Sequence, residues 1–555
     1  MGAALESMIL PTLQGVGRAI QAEPLLATIY FALSLAVLST IGHGLWRNRP
    51  RQVFWAAVAM VLLNTVISAG DDGYTHAYRI AALSEAYGEG RIGMILATPG
   101  TGQALPTFVF YGVLPYLPGA LLDLAGLPAW IALRIALCAQ FLVMAVGLQV
   151  LLDRTRPVDA APGRVTADYL IATLFVLANY VFTLWSTRNA LAELWVYSFI
   201  PWVVLAILRP GSGRMLVLLF FLQAVSHPIV LAQALVCELA IPYCLSTLSW
   251  RVFVQRWLGP LAIALVLAVP FWLPQVLWKD LILGPGGLPG RFEDSFRPLL
   301  GLVHGRDFRS IGPWLPLAMV TAVIAARGRL DGRFWIASAL GLAVLMLQWS
   351  VVSALVAQIP VLNLSVFVWR LMLPAAFLAF GAALVGWRQL VRPPVVVLLP
   401  LVALSALAMQ WAEMVSLPGT LPAVAHPLDD RTMIANFGRA QPIYGVREFL
   451  PQYRRLPVSC PPADARQRVS FDDLRRGVVA ERPYLVLREG PIGFVDYVAP
   501  QAACGADLVL GPVRPGETMR VSERLVALLF GMRMSVLAAL CAFILFAIFR
   551  SRRPA

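Results

Sequence analysis

Long apolar runs separated by short arginine-bearing stretches dominate the chain. A helix needs roughly 20 apolar residues to cross hydrocarbon. Thirteen runs approach that length, near 24–45, 53–70, 128–152, 167–185, 190–208, 214–227, 229–248, 257–274, 313–326, 334–355, 367–385, 394–411 and 526–549. Those at 214–227 and 313–326 are short. Lipid satisfies no backbone hydrogen bond, so these runs predict helices, and the period-two alternation of a barrel is absent. Residues 412–525 are different, being rich in Pro, Arg, Asp and Glu. Alternating stretches there, Tyr484-Leu485-Val486-Leu487 and Phe494-Val495-Asp496-Tyr497, predict strands. The expected fold is an all-α polytopic transmembrane bundle of about 13 helices with a small mixed, mainly β, domain near the C-terminus. The expected divisions are a membrane module over 1–411 with outer loops 71–127 and 275–312, the outer domain 412–525, and a last helix and tail over 526–555.

Composition agrees with the pattern. Of 555 residues, 59% are hydrophobic and 13% charged, against about 25% charged in an average soluble chain. Mean hydropathy is +0.74. The net charge of +14 would suggest nucleic acid in a soluble protein. Here it has a plainer cause, because membrane proteins collect basic residues in cytoplasmic loops, and no nucleic-acid partner is expected. The clusters Arg47/Arg49/Arg51, Arg154/Arg156/Arg164, Arg209/Arg214, Arg251/Arg256, Arg327/Arg329/Arg333, Arg388/Arg392 and Arg550/Arg552/Arg553 fall on alternate loops. That side is expected to be cytoplasmic, with the C-terminus, and 412–525 extracytoplasmic, in a bacterial inner membrane. The first 23 residues lack a signal-peptide layout and are expected outside or as a surface helix. Cys460 and Cys504 are the two cysteines outside the expected helices. An oxidising compartment allows a bridge between them, which spacing alone leaves open.

The candidate chemistry lies at the outer ends of the runs. In Asp71-Asp72-Gly73-Tyr74-Thr75-His76-Ala77-Tyr78-Arg79, a helix would place Asp72, His76 and Arg79 on one face. Asp71 or Asp72 could act as general base, Arg79 could hold a phosphate, and Asp72 with His76 could share a divalent cation such as Mg or Mn. The plainer alternative is an interfacial helix capped by an Asp, with a solvated Arg79. Arg188 and Glu193 flank an outer turn, as a surface pair or as part of a site. His227, in Ser226-His227-Pro228, is either a helix-end residue or a cavity residue. Arg370 follows Trp369 and either snorkels to the headgroups or clamps a phosphate. Lys279 and Asp280 are less constrained. Groups from five segments meeting at one membrane surface favour an enzyme over a transporter, which more often places them at the midplane.

In order, these motifs resemble the bacterial polytopic membrane proteins labelled 6-pyruvoyl-tetrahydropterin synthase-related, which look like distant members of the GT-C glycosyltransferase superfamily. The resemblance rests on Asp72, His76, Tyr78 and Arg79, the segment Tyr111–Pro118, Arg188 to Glu193, Ser226-His227, Phe367 to Arg370, and Glu448-Phe449-Leu450-Pro451. It covers roughly 53–549. The helix 24–45 is an addition to the usual pattern, and only Glu85 and Glu89 offer a second loop acid. The resemblance implies a GT-C-like bundle that takes a sugar from a polyprenyl-phosphate donor to a lipid, glycan or protein acceptor at the outer face. It implies a catalytic role for Asp72, with Asp71 as alternative, and substrate binding by His76, Arg79, Arg188, Glu193, His227 and Arg370. The rival reading is a transporter, flippase or assembly subunit for lipid-linked glycan export.

Overall fold

The computed structural model describes residue 14 and residues 18–551 apart from 22, 69, 71, 98–103, 106, 158–159, 247–248, 278–295, 304–309, 328, 359–367, 391, 426–459, 489–495, 498–500 and 505–506. The chain is mostly helical, with a small sheet region near its C-terminal end. It is a multi-pass membrane protein. Seven helices are long and apolar enough to cross a bilayer: Pro24–Trp46, Pro50–Ile67, Ala129–Thr155, Leu191–Leu208, Pro228–Leu245, Trp250–Leu267 and Val395–Val415. The pair Pro162–Val176 and Asn179–Arg188, bent by 53°, adds an eighth if it counts as one span. Gly213–Ser226, Trp314–Ala326 and Gly332–Met346 are shorter apolar helices. Length and composition thus support seven or eight crossings among the described residues, where the run pattern led us to expect thirteen.

Burial orders the bundle. Helix Met372–Gln389 is buried at every position from Met372 to Trp387. It packs against Gly332–Met346, Trp314–Ala326, Pro228–Leu245 and Pro162–Val176. Lipid gives helices no hydrophobic reason to associate, so close packing of small residues must hold them. Gly381 and Gly386 supply it: an added Cβ would lie 3.1 Å from Ile241 and 2.9 Å from Phe334. By contrast, Pro24–Trp46 and Trp250–Leu267 have only 22% and 17% of their apolar windows buried and form the rim.

The arginine-bearing loops around Arg51, Arg156 and Arg388 meet at one end. Arg51 pairs with Asp153 at 3.0 Å, Arg388 with Asp168 at 2.8 Å, and Arg388 also donates to Thr155. The first long loop lies at the other end. It forms helix Gly73–Gly88, a short Leu96–Ala97/Ala104–Leu105 hairpin, and helix Leu117–Leu124.

The sheet region holds a four-stranded mixed sheet in the order Arg466–Arg468, Tyr484–Arg488, Asp507–Leu510, Gln501–Cys504. The first pair is parallel and the others antiparallel. The strand expected at Tyr484 is present; of the one expected at Phe494, Asp496–Tyr497 pairs with Val521–Ser522, while Phe494 and Val495 lie outside the described residues. A Cys460–Cys504 disulfide closes the sheet's edge. The region expected to begin at 412 starts later, because the preceding helix continues to Ala425.

This domain is tied to the first loop. Met94, Ile95 and Val109 share a core with Leu474, Leu485, Leu487, Leu508 and Leu510. Arg475 pairs with Glu523 at 2.6 Å and reaches the Ile95 carbonyl. Arg533, buried near the start of the last helix, donates to the carbonyls of Phe108, Val109, Pro270 and Phe271. A buried guanidinium needs such partners, since an unpaired cation in this setting costs at least about 3 kcal/mol.

Candidate functional site

The site is organised by a turn that departs from regular helix. After the bent pair's break, the chain makes a π-helical turn over Leu184–Arg188 and ends on Asn189 in the left-handed conformation, φ 58°. Asn tolerates this conformation better than most residues. Its side chain explains the rest: Nδ2 donates to Trp185 and Ser186 carbonyls, and Oδ1 accepts from Arg134. Arg134 also donates to the Thr65 carbonyl at 2.8 Å and lies over the Trp130 ring. Gly70, φ +64°, is the close approach on the other side; a Cβ there would fall 2.5 Å from Asn189 Cγ. Glu413 supports the turn from a third side, accepting from Ser186 at 2.7 Å and Thr187 at 3.0 Å.

The turn presents Arg188 to two acids. Its Nη1 and Nη2 bind Glu193 side by side, at 2.8 and 2.9 Å. Its Nε pairs with Asp72 Oδ2 at 3.0 Å. Arg370 Nε closes on Glu193 Oε1 at 2.7 Å. The result is a linear chain, Asp72–Arg188–Glu193–Arg370, drawn from three distant parts of the sequence. Arg188 and Glu193 are 6% and 2% exposed, which excludes the surface-pair alternative. Arg370 is paired inward and does not snorkel. Asp72 keeps 29% of its side chain accessible, so the acid end of the chain is the open one.

Asp72 occupies the N-cap position of helix Gly73–Gly88, yet its side chain makes no capping hydrogen bond. For Asp72 the capping alternative therefore fails: its carboxylate is directed to Arg188. Its backbone N–H donates to the Arg188 carbonyl at 3.0 Å, so main chain and side chain are docked on the same turn. Asp71 lies outside the described residues, as do Lys279, Asp280, Phe367 and Glu448 to Pro451.

His76 and Arg79 follow on the same helix and are also buried, at 4% and 3% exposure, where solvation was the alternative. They meet at one hydroxyl: Arg79 Nη1 donates to Tyr116 Oη at 2.9 Å, and His76 Nδ1 lies 2.7 Å from it. An oxygen that accepts from Arg79 has its own proton to donate, so we assign Nδ1 as acceptor and Nε2 as the protonated nitrogen. Arg79 also sits 4.6 Å over the Tyr111 ring. Tyr111 in turn stands edge-on to His227 at 5.5 Å. His227 Nδ1 accepts from Val230 N at 3.4 Å, so it caps the next helix as well as lining the site. Glu85 and Glu89 are exposed at the far end of the helix, away from Asp72.

Burial holds the His76 imidazole well below its ordinary value, with Arg79 and Arg188 adding to the effect and Glu193 opposing it. The native state thus keeps His76 neutral while the unfolded chain takes up a proton below about pH 6.5. Stability is complete above that value and falls as pH drops through it. The thermal midpoint in detergent is expected to fall between pH 7 and 5, and His76→Gln is expected to make that slope shallower. An unchanged slope would remove His76 from the acid sensitivity.

Gly112 sets the spacing between Tyr111 and His227. A Cβ there would lie 2.2 Å from the Ser226 carbonyl oxygen and 2.4 Å from that of Val225, both backbone atoms that cannot rotate away. Gly112→Ala is expected to cost about 1–3 kcal/mol, as overpacking does, read as a lower thermal midpoint.

Metal binding fits poorly. Asp72 and His76 are each engaged, and among the described residues no three His, Cys, Asp or Glu side chains come together for an ion.

The sequence grouped the named residues at one surface and singled out the segments that hold Asn189 and Tyr116 without giving either a role, but it missed Glu413 and Arg134. Arg134 and Glu413 carried a usable signal, being charges inside or at the end of apolar runs. No family model matches the chain, and no curated protein matches it. The resemblance to the 6-pyruvoyl-tetrahydropterin synthase-related proteins gains nothing from either comparison. Among solved structures it is similar to arabinofuranosyltransferase AftD from mycobacteria, at 16% identity and a TM-score of 0.39. The match covers 84% of this chain and 40% of that protein, so the chain spans less than half of its length.

Proposed function

We propose that the protein is a membrane glycosyltransferase of GT-C type that moves a sugar from a polyprenyl-phosphate donor to a lipid, glycan or protein acceptor. The observation that carries this reading is the chain Asp72–Arg188–Glu193–Arg370, with an accessible carboxylate at one end and cations behind it. It lies at the end of the bundle away from the arginine-bearing loops, which we take as extracytoplasmic. The ordered motif resemblance supports the same class.

In this mechanism Asp72 accepts the proton of the acceptor hydroxyl as that oxygen bonds to the sugar's anomeric carbon. The bond from that carbon to the phosphate oxygen breaks, and polyprenyl phosphate leaves with the extra negative charge. Arg188 has every guanidinium nitrogen engaged by Glu193 or Asp72, so it orients the base. In this reading recognition of the phosphate falls to Arg370 and Arg79, whose charges both act on His227, with His76 beside Arg79. The tail stays in lipid, where a very apolar donor must remain. The domain over 460–522, whose core includes first-loop residues, takes the acceptor-recruiting role in this reading.

The test is release of labelled sugar from a panel of polyprenyl-phosphate sugars in membranes containing the protein and acceptor extract. Turnover above empty membranes is expected with at least one donor. No turnover from folded protein with any donor would shift the reading to transport or assembly of lipid-linked glycans.

A further inference from the structure

A cavity of about 660 Å³ opens at the arginine-rich end, far from Asp72. It lies between the end of helix Trp314–Ala326, the end of Met372–Gln389 and the start of the Val395–Val415 span. Three guanidiniums line it, those of Arg327, Arg329 and Arg392, and all three are exposed. No described carboxylate lines it. The nearest acid in sequence, Asp331, is committed elsewhere: its Oδ1 caps the next helix by accepting from Arg333 N and Phe334 N. Gln389 Oε1 accepts from Asp331 N at 3.0 Å, which leaves its amide NH2 as the donor end.

The cavity has a second character. Ile324 and Val397, on its wall, are 70% and 37% exposed, and they belong to apolar helices whose outer faces meet lipid. Three like charges around one cavity, with no carboxylate lining it among the described residues, ask for a multivalent or multiply bonded anion, and guanidinium forks match phosphate. A free anion would need the charges alone. An apolar wall continuous with the lipid-facing surface suits a ligand that carries acyl chains as well. Basic pockets between helices on this side of a membrane commonly take lipid headgroups.

We propose that this cavity binds the phosphate headgroup of an anionic glycerophospholipid from the leaflet at the arginine-rich end. The site is independent of the sugar chemistry, and its failure would leave the proposed function untouched.

The full-length protein in neutral detergent is measured by native mass spectrometry with phosphatidylglycerol, phosphatidylcholine and inorganic phosphate as probes. Wild type is expected to retain phosphatidylglycerol in preference to phosphatidylcholine. Combined substitution of Arg327, Arg329 and Arg392 by Gln is expected to weaken retention about 150-fold, roughly five- to sixfold for each guanidinium. Arg392→Gln alone, which leaves the turn after Trp314–Ala326 intact, gives the smaller step if the triple variant does not fold. Equal retention by wild type and Arg392→Gln, or full displacement of the lipid by millimolar inorganic phosphate, would overturn the proposal.

Discussion

Glu193→Gln is expected to lower stability by about 3–5 kcal/mol, the usual cost of removing one partner from a buried ion pair. One carboxylate serves two guanidiniums here, Arg188 through a two-point contact and Arg370 through Nε. The amide has nearly the same shape but no charge, and its NH2 would face a donor. Two cations would then share a buried space with only Asp72, itself partly accessible, to balance them. The effect is the cost of an uncompensated charge, and it says nothing about whether the intact network outperforms an apolar one. The measurement is the thermal midpoint and monodispersity of the variant in detergent. Glu193→Gln combined with Arg370→Gln should recover part of the loss, because it removes one stranded cation. A single variant melting with wild type would show that the network bears no charge load.

Asp72→Asn is expected to act the other way round, on rate more than on folding. Its side chain is 29% accessible and its bond to Arg188 Nε can survive through the amide oxygen. Asp72 is the accessible member of the pair and Arg188 keeps both contacts to Glu193, so the midpoint should fall less than in Glu193→Gln. What disappears is the capacity to take a proton from the acceptor hydroxyl, worth about 10²–10⁴ in rate for a positioned base. Sugar release from the donor that wild type turns over should fall by that factor, at unchanged protein level. Wild-type turnover in Asp72→Asn would exclude it as the base and leave Asp71 to be tested next.

The contrast between these variants follows from position along one ion-pair chain. On the proposed function, the buried middle carries stability and the accessible Asp72 end is where the chemistry is expected. A survey of pairs at helical spacing finds Asp72, His76 and Arg79 on one face, and the structure keeps them there. It does not keep them together as a ligand set: Asp72 turns to Arg188, while His76 and Arg79 turn to Tyr116. Three of the bland alternatives fail for the same reason. Arg188 with Glu193, Arg370, and Arg79 are near run ends, where solvent or headgroups are the default. Burial against other helices, which a one-dimensional pattern does not contain, changes their environment. The helix-end reading of His227 survives, because its Nδ1 contact to Val230 is local in sequence.

The sequence by itself determined the multi-pass membrane class, the mostly helical character and the strands near the C-terminal end, but not the number of spans. Each follows from local composition or periodicity, since lipid, hydrogen-bond closure and charge act on short stretches independently of their neighbours. Only the tertiary structure decided that Asn189 holds a left-handed turn, that Arg134 and Glu413 brace it, that Arg188 links Asp72 to Glu193, and that Cys460 bonds Cys504. Apart from the local bonds of Asn189 and the Arg188–Glu193 pair, these depend on residues between 44 and 227 positions apart meeting in space. Their energy comes from desolvation and close pairing, which are set by what packs around a group and not by what precedes it in the chain.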